Sequence, residues 1–545
     1  MTAAPFSSLA SRFLSPSVRD IIFIFLFWSL LAGPLSNRPL ADPDIGWHIR
    51  NGEQILATHH LPHTDSFSST MQGQPWFAWE WLYDLLLGML HHTAGLNGAV
   101  WLCALLVAGV FTLLLSQMVQ RGTGLLLAVV LMLLAEATSA IHLFARPHIA
   151  SWLFSLLWFV QLERWELWDR TQQGKIPRWI PWFFPVSMLL WVNLHGGWIF
   201  GMALLAIYAG SAWIESWRAS DPFAKIRASQ RARSVSVAWL LAALSTLVNP
   251  FGWRLHAHVY SYLTDRYLVN HIEEFRSPNF HGWAERCFAI ILMLVLIAFS
   301  SNRTFALTRT NETQGRLRLS NLLVVLLSVY AGFLSSRNLP VSAMLLVLVA
   351  GPLLWRNIVD LALRPGAWPW LRAISARSAH FSDRVSAQEM QLTVHLWPVA
   401  AVVLALFICL HGGYLGSRRW LNASFDARKI PVAAVNFLQV REPNRQTGAG
   451  PIFSTDTWGG YLIYRLYPTR KVVMDDRHDL YGSSRVRQYL ILMQGENGWR
   501  DVLRDWDIQT ALLPADSTAT NLLRELPSEW KEVYADKVAV VFVRR

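Results

Sequence analysis

From about residue 19 to residue 415 the chain runs in long apolar blocks separated by short polar breaks, and beyond that it turns to short mixed runs. A helix needs roughly 17–25 mainly apolar residues to cross the hydrocarbon core of a bilayer. Blocks of about that size lie near residues 19–35, 97–119, 122–143, 147–165, 178–195, 197–216, 234–251, 285–301, 319–335, 339–355 and 396–415. The pattern therefore predicts a polytopic α-helical membrane protein with about eleven spans. The first block, Ile21–Leu35, has no small-residue cleavage site after it and is expected to stay as an anchor. After Asn422, short β runs at Pro451–Phe453, Lys471–Met474, Thr510–Leu513 and Val538–Val543 alternate with helical stretches at Val432–Val440, Arg485–Met493 and Thr520–Leu526. That alternation predicts a small α/β domain.

One segment, Trp76–His92, decides the topology. If it does not cross, an N-inside start puts the basic loops Arg164–Arg178, Arg218–Arg233, Arg303–Arg318 and Arg356–Arg384 on the cytoplasmic side, eighteen basic residues in all. If it crosses, all of them fall outside, against the usual bias of Lys and Arg toward cytoplasmic loops. The segment also carries Glu80 and Asp84 at i,i+4, opposite a Leu-rich face, as an interfacial helix does. Two carboxylates would be costly at the bilayer centre. The expected division is thus a cytoplasmic N-terminus at 1–18, a transmembrane domain at 19–418 with an outer loop at 36–96, and an extracytoplasmic α/β domain at 419–545.

Composition agrees with a membrane class. Charged residues make up 15% of the chain against about 25% in ordinary globular proteins, and the 28 Trp suit interface belts. The net charge of +12 sits in short loops between apolar blocks, which reads as membrane orientation and not as a nucleic-acid surface. Cys103, Cys287 and Cys409 lie inside apolar stretches, so neither a disulfide framework nor a Cys-based zinc site is expected. There is no Gly-rich phosphate loop, zinc signature or Ser-His-Asp order, so nucleotide hydrolysis and protease chemistry have no support.

With eleven spans, the polar breaks on the outer side are the 36–96 loop, Ala145–His148, Asn193–Gly197, Asn249–Gly252 with the following loop, and Ser336–Pro340. Polar groups gathered on span ends at one face read as a site. Within the first loop, Asp42-Pro43-Asp44 offers two carboxylates stiffened by proline, suited to binding a hard cation or to accepting a proton, or simply to capping the helix that begins near Ile45. Arg146 and Arg337 could make bidentate phosphate contacts or anchor the interface. His195, followed by two glycines, stands at a close-approach turn and could equally be a packed turn residue. Glu273 and Glu274 sit in an outer loop and could bind a substrate group, and Asp65 reads as a turn residue. Apart from Glu136, the apolar blocks are expected to be nearly free of charge, and no repeat is visible. Both features argue against a transporter or flippase of lipid-linked glycans. A non-catalytic glycan-binding scaffold is the other alternative.

The anchor span, the acidic outer loop, the run WHIRNGEQILATHHLPHTDSFS, the segment Gly73–Trp76 and the turn Arg146-Pro147 together resemble the GT-C superfamily of membrane glycosyltransferases, over about Val18–Trp217. Within it the chain is similar to the bacterial branch of protein mannosyltransferases and lipid A aminoarabinose transferase, although Asp-Pro-Asp stands where the latter pattern has an Asp-Glu pair. The resemblance implies a sugar donor carried on a polyprenyl phosphate, transfer in the bacterial inner membrane to a glycan, lipid or protein acceptor, and a first-loop Asp, Asp42 or Asp44, at the reaction centre. It also implies a divalent metal, Mg or Mn, held by the same pair. Trp458-Gly459-Gly460-Tyr461, read as a turn before an acidic strand end at Asp475-Asp476, is similar to the tryptophan-acidic region of oligosaccharyltransferase catalytic subunits. That likeness implies acceptor contacts at Trp458 and Tyr461.

Overall fold

The structure is a computed structural model and describes residues 15–171, 179–300, 318–363, 366, 368–389, 395–441 and 450–545. Residues 1–14 of the expected cytoplasmic N-terminus, and Lys175, Arg178, Arg303, Arg309, Arg316 and Arg364 of the basic loops, lie outside the described residues. Helix α1 (Val18–Leu31) begins at a capping box, in which Ser17 Oγ accepts from the Asp20 amide and Asp20 accepts from the Ser17 amide, and it ends just before Gly33-Pro34. It is followed by α2 (Ile45–Thr58), α3 (Trp81–Gln120), α4 (Leu125–Ser139), α5 (His148–Thr171), α6 (Trp179–Leu194), α7 (Trp198–Arg218) and α8 (Pro222–Ser245). The bundle continues with α9 (Trp253–Thr264), α10 (Arg266–His271), α11 (Trp283–Phe299), α12 (Leu319–Leu334), α13 (Leu339–Leu363), α14 (Pro369–Glu389) and α15 (Leu396–Leu410).

A helix underlies each predicted apolar block. Among the described residues, four helices are long and apolar enough to cross a membrane: Trp81–Gln120, Leu125–His142, Trp198–Arg218 and Ser336–Leu363. Trp179–Leu194, Leu319–Leu334 and Leu396–Leu410 are shorter apolar helices, so length and composition alone do not reach eleven spans. Helix α3 is two helices joined at Gly95, whose φ of 59° and ψ of −153° lie where only glycine is tolerated. The bend separates residues 81–94, most of the ambiguous segment, from the apolar 96–120 stretch.

Beside Glu136, the 147–165 block carries a second acidic residue, Glu163, and an ion-pair cluster forms around it at the block ends. Glu163 and Glu166 on α5 are buried, and Arg121 and Arg318 pair with them, with Glu163 accepting at 3.0 Å from Arg121 and from Tyr208 Oη at 2.6 Å. Charged groups are tolerated there because each finds an opposite charge or a hydroxyl.

After a two-residue hairpin, β1 (Tyr414–Leu415) with β2 (Arg418–Arg419), comes the mixed region. It contains α16 (Val432–Arg441), β3 (Ile452–Ser454), α17 (Asp456–Leu466), α18 (His478–Gln494), α19 (Trp499–Asp505), β4 (Thr510–Pro514), α20 (Thr518–Arg524), β5 (Trp530–Ala535) and β6 (Ala539–Arg544). The sheet order is β3-β4-β6-β5, with β3 parallel to β4 (Phe453 opposite Ala511) and the other pairs antiparallel (Leu512 opposite Val541). Strand β5 escapes the sequence pattern because it is an edge strand whose Lys531 and Glu532 face solvent. Lys471–Met474 is not a regular strand. Val472 makes isolated parallel bridges to Ile452 and to Ser68, and Thr70 Oγ1 donates to the Val473 carbonyl at 2.6 Å. The 36–96 loop is thereby stitched to the C-terminal sheet. Trp458-Gly459-Gly460-Tyr461, expected as a turn, lies inside helix α17, which Thr455 caps through its side chain. The two glycines serve helix packing, and their lower helix propensity is outweighed by that contact.

Candidate active site

The site is assembled around α2, which starts directly after Asp42-Pro43-Asp44. Glycines let it touch two other helices backbone to backbone. A Cβ on Gly46 would lie 2.2 Å from the Gly460 carbonyl oxygen of α17, and one on Gly52 would lie 1.8 Å from the Asp84 carbonyl oxygen of α3. This close approach lays His48 and Asn51 directly on Asp84. His48 Nδ1 is 2.6 Å from Asp84 Oδ1, and Asn51 Nδ2 donates to Oδ2 at 2.6 Å. The expectation of a solvated polar face at Glu80 and Asp84 is overturned, since Asp84 is 0% exposed and Glu80 8%. The helix has the predicted i,i+4 face, but α2 covers it.

Arg146 stands at the centre. The turn carrying it is tied to the first loop by the Ala145 amide, which donates to the Pro39 carbonyl at 2.9 Å. Its Nη1 lies 2.7 Å from Asp42 Oδ2, 3.0 Å from Asp44 Oδ2 and 3.3 Å from Glu274 Oε1, while Nη2 is 4.0 Å from Asp476 Oδ2. Burial works against the Arg146 charge, but Asp42 and Glu274 outweigh it and hold the pKa above its ordinary value. Glu274 is likewise opposed by burial, and Arg146 with Arg337 still keep its carboxyl well below the usual carboxylate range. Arg337, on the turn before α13, places Nη2 3.2 Å from His195 Nε2 and its guanidinium over the Phe275 ring, with Nε 4.0 Å from Glu274 Oε2.

Glu80 sits between two imidazoles, Oε1 being 3.6 Å from His195 Nε2 and Oε2 3.9 Å from His48 Nε2. Burial pushes Glu80 up to about 7 against the pull of His48, and burial lowers His48 to about 3. Asp476 accepts from Trp47 Nε1 at 3.2 Å, and burial, reinforced by the nearby Asp42 charge, raises it to about 7. Its neighbour Arg477 is locked by Asp475 and by Asp65 at 2.8 Å and covered by the Trp76 ring at 4.6 Å. Asp65 is the predicted turn residue, accepting from the Phe67 and Ser68 amides, and it also bolts the first loop to the C-terminal domain.

Two cavities meet here. The larger, ≈ 540 Å³, is lined among others by Asp42, Asp44, Phe144, Glu273, Glu274, Phe275, Thr457 and Trp458. The smaller, ≈ 60 Å³, is lined by Trp47, Trp76, Phe77, Trp79, Glu80, Asp84, Arg477 and Asp479. Arg146, Tyr262, Arg337 and Asp476 line both. An apolar groove of ≈ 580 Å³ between α1 and α15, walled by Phe25, Trp28, Leu404 and Trp420, shares no residue with either.

Among solved structures, the chain is similar to the crystal structure of the Archaeoglobus fulgidus oligosaccharyltransferase in its apo form. The match has a TM-score of 0.51 at 11% sequence identity and covers 91% of this chain and 69% of that one. The likeness is one of fold. No protein-family model and no curated protein matches the sequence.

Of the residues expected at the site, the fold brings Asp42, Asp44, Arg146, Glu274 and Arg337 into one cluster. His195 lines neither cavity and stands behind Arg337 and Glu80, held by Ser151 Oγ at 2.7 Å from its Nδ1. Glu273 is exposed at the larger cavity, and Trp458 lines it. Tyr461 is not brought there, because its ring is 1% exposed against Phe425 and its hydroxyl accepts from Arg465. Asp476, Glu80, His48 and Asp84 were missed as site residues. Asp476 stood in the acidic run Asp475–Asp479, but nothing local says which of those carboxylates turns inward.

Asp42, Asp44 and Glu274 all converge on Arg146 Nη1, so a guanidinium already supplies the positive charge a metal would bring. Among the described residues, no group of three or more His, Cys, Asp or Glu side chains is arranged to hold a metal ion. As they stand, Asp42 and Asp44 do not fit a resident divalent cation.

Proposed function

We propose that this protein is an integral-membrane glycosyltransferase that moves a sugar from a polyprenyl-phosphate donor to an acceptor at the extracytoplasmic face. The observation that carries this reading is the pair Arg146 and Arg337, two arginines in the wall of one substrate-sized cavity. A lipid-borne phosphate has to be met by fixed cations, and arginine does this bidentately. Asp42 and Asp44 hold Arg146 in place, and Trp458 and Glu273 face the acceptor, a glycan, lipid or protein group. The GT-C-like fold shared with an oligosaccharyltransferase supports the reaction class.

In this reading an acceptor oxygen or nitrogen attacks the anomeric carbon and the bond to the phosphate oxygen breaks. Polyprenyl phosphate leaves with the electron pair, and a carboxylate takes the acceptor proton, giving one displacement with inversion. Phosphate is a weak base, so only the acceptor side needs proton removal. The reading is tested by transfer from labelled polyprenyl-phosphate sugars in proteoliposomes. Asp42→Asn with Asp44→Asn should abolish transfer while the protein still expresses, and full activity in that double variant would refute it.

A further inference from the structure

We infer that Asp476, from the C-terminal domain, is the group that takes the proton from the acceptor. The inference rests on the glycosyl-transfer reading and names its base.

The proton acceptor has to face the substrate chamber and also have a way to pass the proton on. Six carboxylates line the larger cavity. Asp42, Asp44 and Glu274 each lie within 3.3 Å of Arg146 Nη1 and are held as its counter-ions. The oxygen each turns to the guanidinium is already occupied. Asp456 is taken up by His478 at 3.0 Å and Tyr489 at 2.9 Å, and Glu273 is exposed.

Asp476 remains. It also lines the smaller cavity, whose ≈ 60 Å³ can hold a water. Of the four residues shared by the two cavities it is the one carboxylate. Trp47 Nε1 orients it through Oδ1, and its Oδ2 stays 4.0 Å from Arg146, beyond hydrogen-bond reach. The charged groups facing it are Asp42 from the first loop, Arg146 from the turn before α5, and Arg477, His478 and Asp479 of its own segment. Their balance, with burial, leaves Asp476 near pH 7, where a general base is most effective.

The step balances. The acceptor O–H or N–H bond breaks as the new glycosidic bond forms, the proton goes to Asp476, and the electron pair of the old bond leaves on the phosphate. Asp476 then releases its proton to water in the smaller cavity.

The test uses the full chain in proteoliposomes with undecaprenyl-phosphate hexoses as donors, following release of undecaprenyl phosphate, and with undecaprenyl phosphate alone as the binding probe. The inference expects the wild-type turnover to rise with pH through about 7 and then level off. Asp476→Asn should bind undecaprenyl phosphate like wild type, lose about 10²–10⁴-fold in turnover and show no such rise, while Asp476→Glu should keep part of the rate and the pH dependence. Wild-type turnover in Asp476→Asn refutes the base assignment alone. Loss of phosphate binding in Asp476→Asn also refutes it, making Asp476 structural. If wild type neither binds undecaprenyl phosphate nor releases it from any donor, the transfer reading falls, and the base assignment falls with it.

Discussion

Gly46 and Gly460 face each other across the joint between helices α2 and α17, so close that a side chain on either would collide with the other's backbone neighbourhood. A Cβ on Gly460 would sit 2.6 Å from the Pro43 carbonyl oxygen and 2.7 Å from Asp44 Cα. That contact sets where the Asp42–Asp44 turn stands relative to Arg146. Gly460→Ala should lower stability by about 1–3 kcal/mol, as overpacking does. It should also increase hydrogen exchange across residues 36–80, read by mass spectrometry. Unchanged exchange there would show that the joint does not depend on this contact.

Asp84 is the buried hydrogen-bond partner of both His48 and Asn51. Asp84→Ala leaves two buried polar groups without partners, at about 1–3 kcal/mol each. Asp84→Asn keeps one acceptor oxygen and should cost less. Thermal melts of the two variants in detergent decide this, and equal losses would contradict it.

Glu80 ties stability to pH. Burial raises it from 4.5 to about 7 in the folded protein, so between those values the folded state holds a proton that the unfolded state has lost. Its stabilising contribution is therefore present below pH 4.5 and is lost as pH rises through 7. Glu80→Gln cannot ionise. The variant's unfolding free energy minus the wild-type value should grow from pH 4.5 to 7 and then level off, by at most about 3 kcal/mol. A difference independent of pH would mean that Glu80 titrates normally.

Arg146 and Arg337 should separate in their effects. Removing Arg146 strands three carboxylates, so Arg146→Gln should destabilise by about 3–5 kcal/mol as well as abolish transfer. Arg337 has one carboxylate at 4.0 Å, so Arg337→Gln should fold normally and raise the KM for the lipid-phosphate donor about 10–100-fold, the loss of one charged hydrogen bond. Melting curves together with donor titrations check both, and a normal KM in Arg337→Gln would remove it from the phosphate site.

Much of the fold is legible in the sequence because hydropathy over twenty residues is a local quantity. It places a helix under each apolar block and marks the change to a mixed domain after Asn422. That Asp42, Asp44, Arg146, Glu274 and Arg337 come together follows from the same reasoning, since polar breaks between apolar helices fall at helix ends. The amphipathic helix at Glu80 and Asp84 is also visible, but its polar face was assigned to water. Amphipathicity says that a face is polar and does not say what covers it; here the cover is α2, admitted by Gly52.

The sequence by itself determined the class of protein, the positions of its helices and the inventory of charged residues near the site. The tertiary structure decided their partners. Arg146 takes Asp42 from 104 positions away, α17 forms where two glycines suggested a turn, and Asp476, with no distinguishing local signal, is turned into the wall between two cavities. Helix formation depends on neighbours in the chain, whereas ion pairing and burial depend on neighbours in space, and those are set only when the backbones of α2, α3 and α17 close on one another.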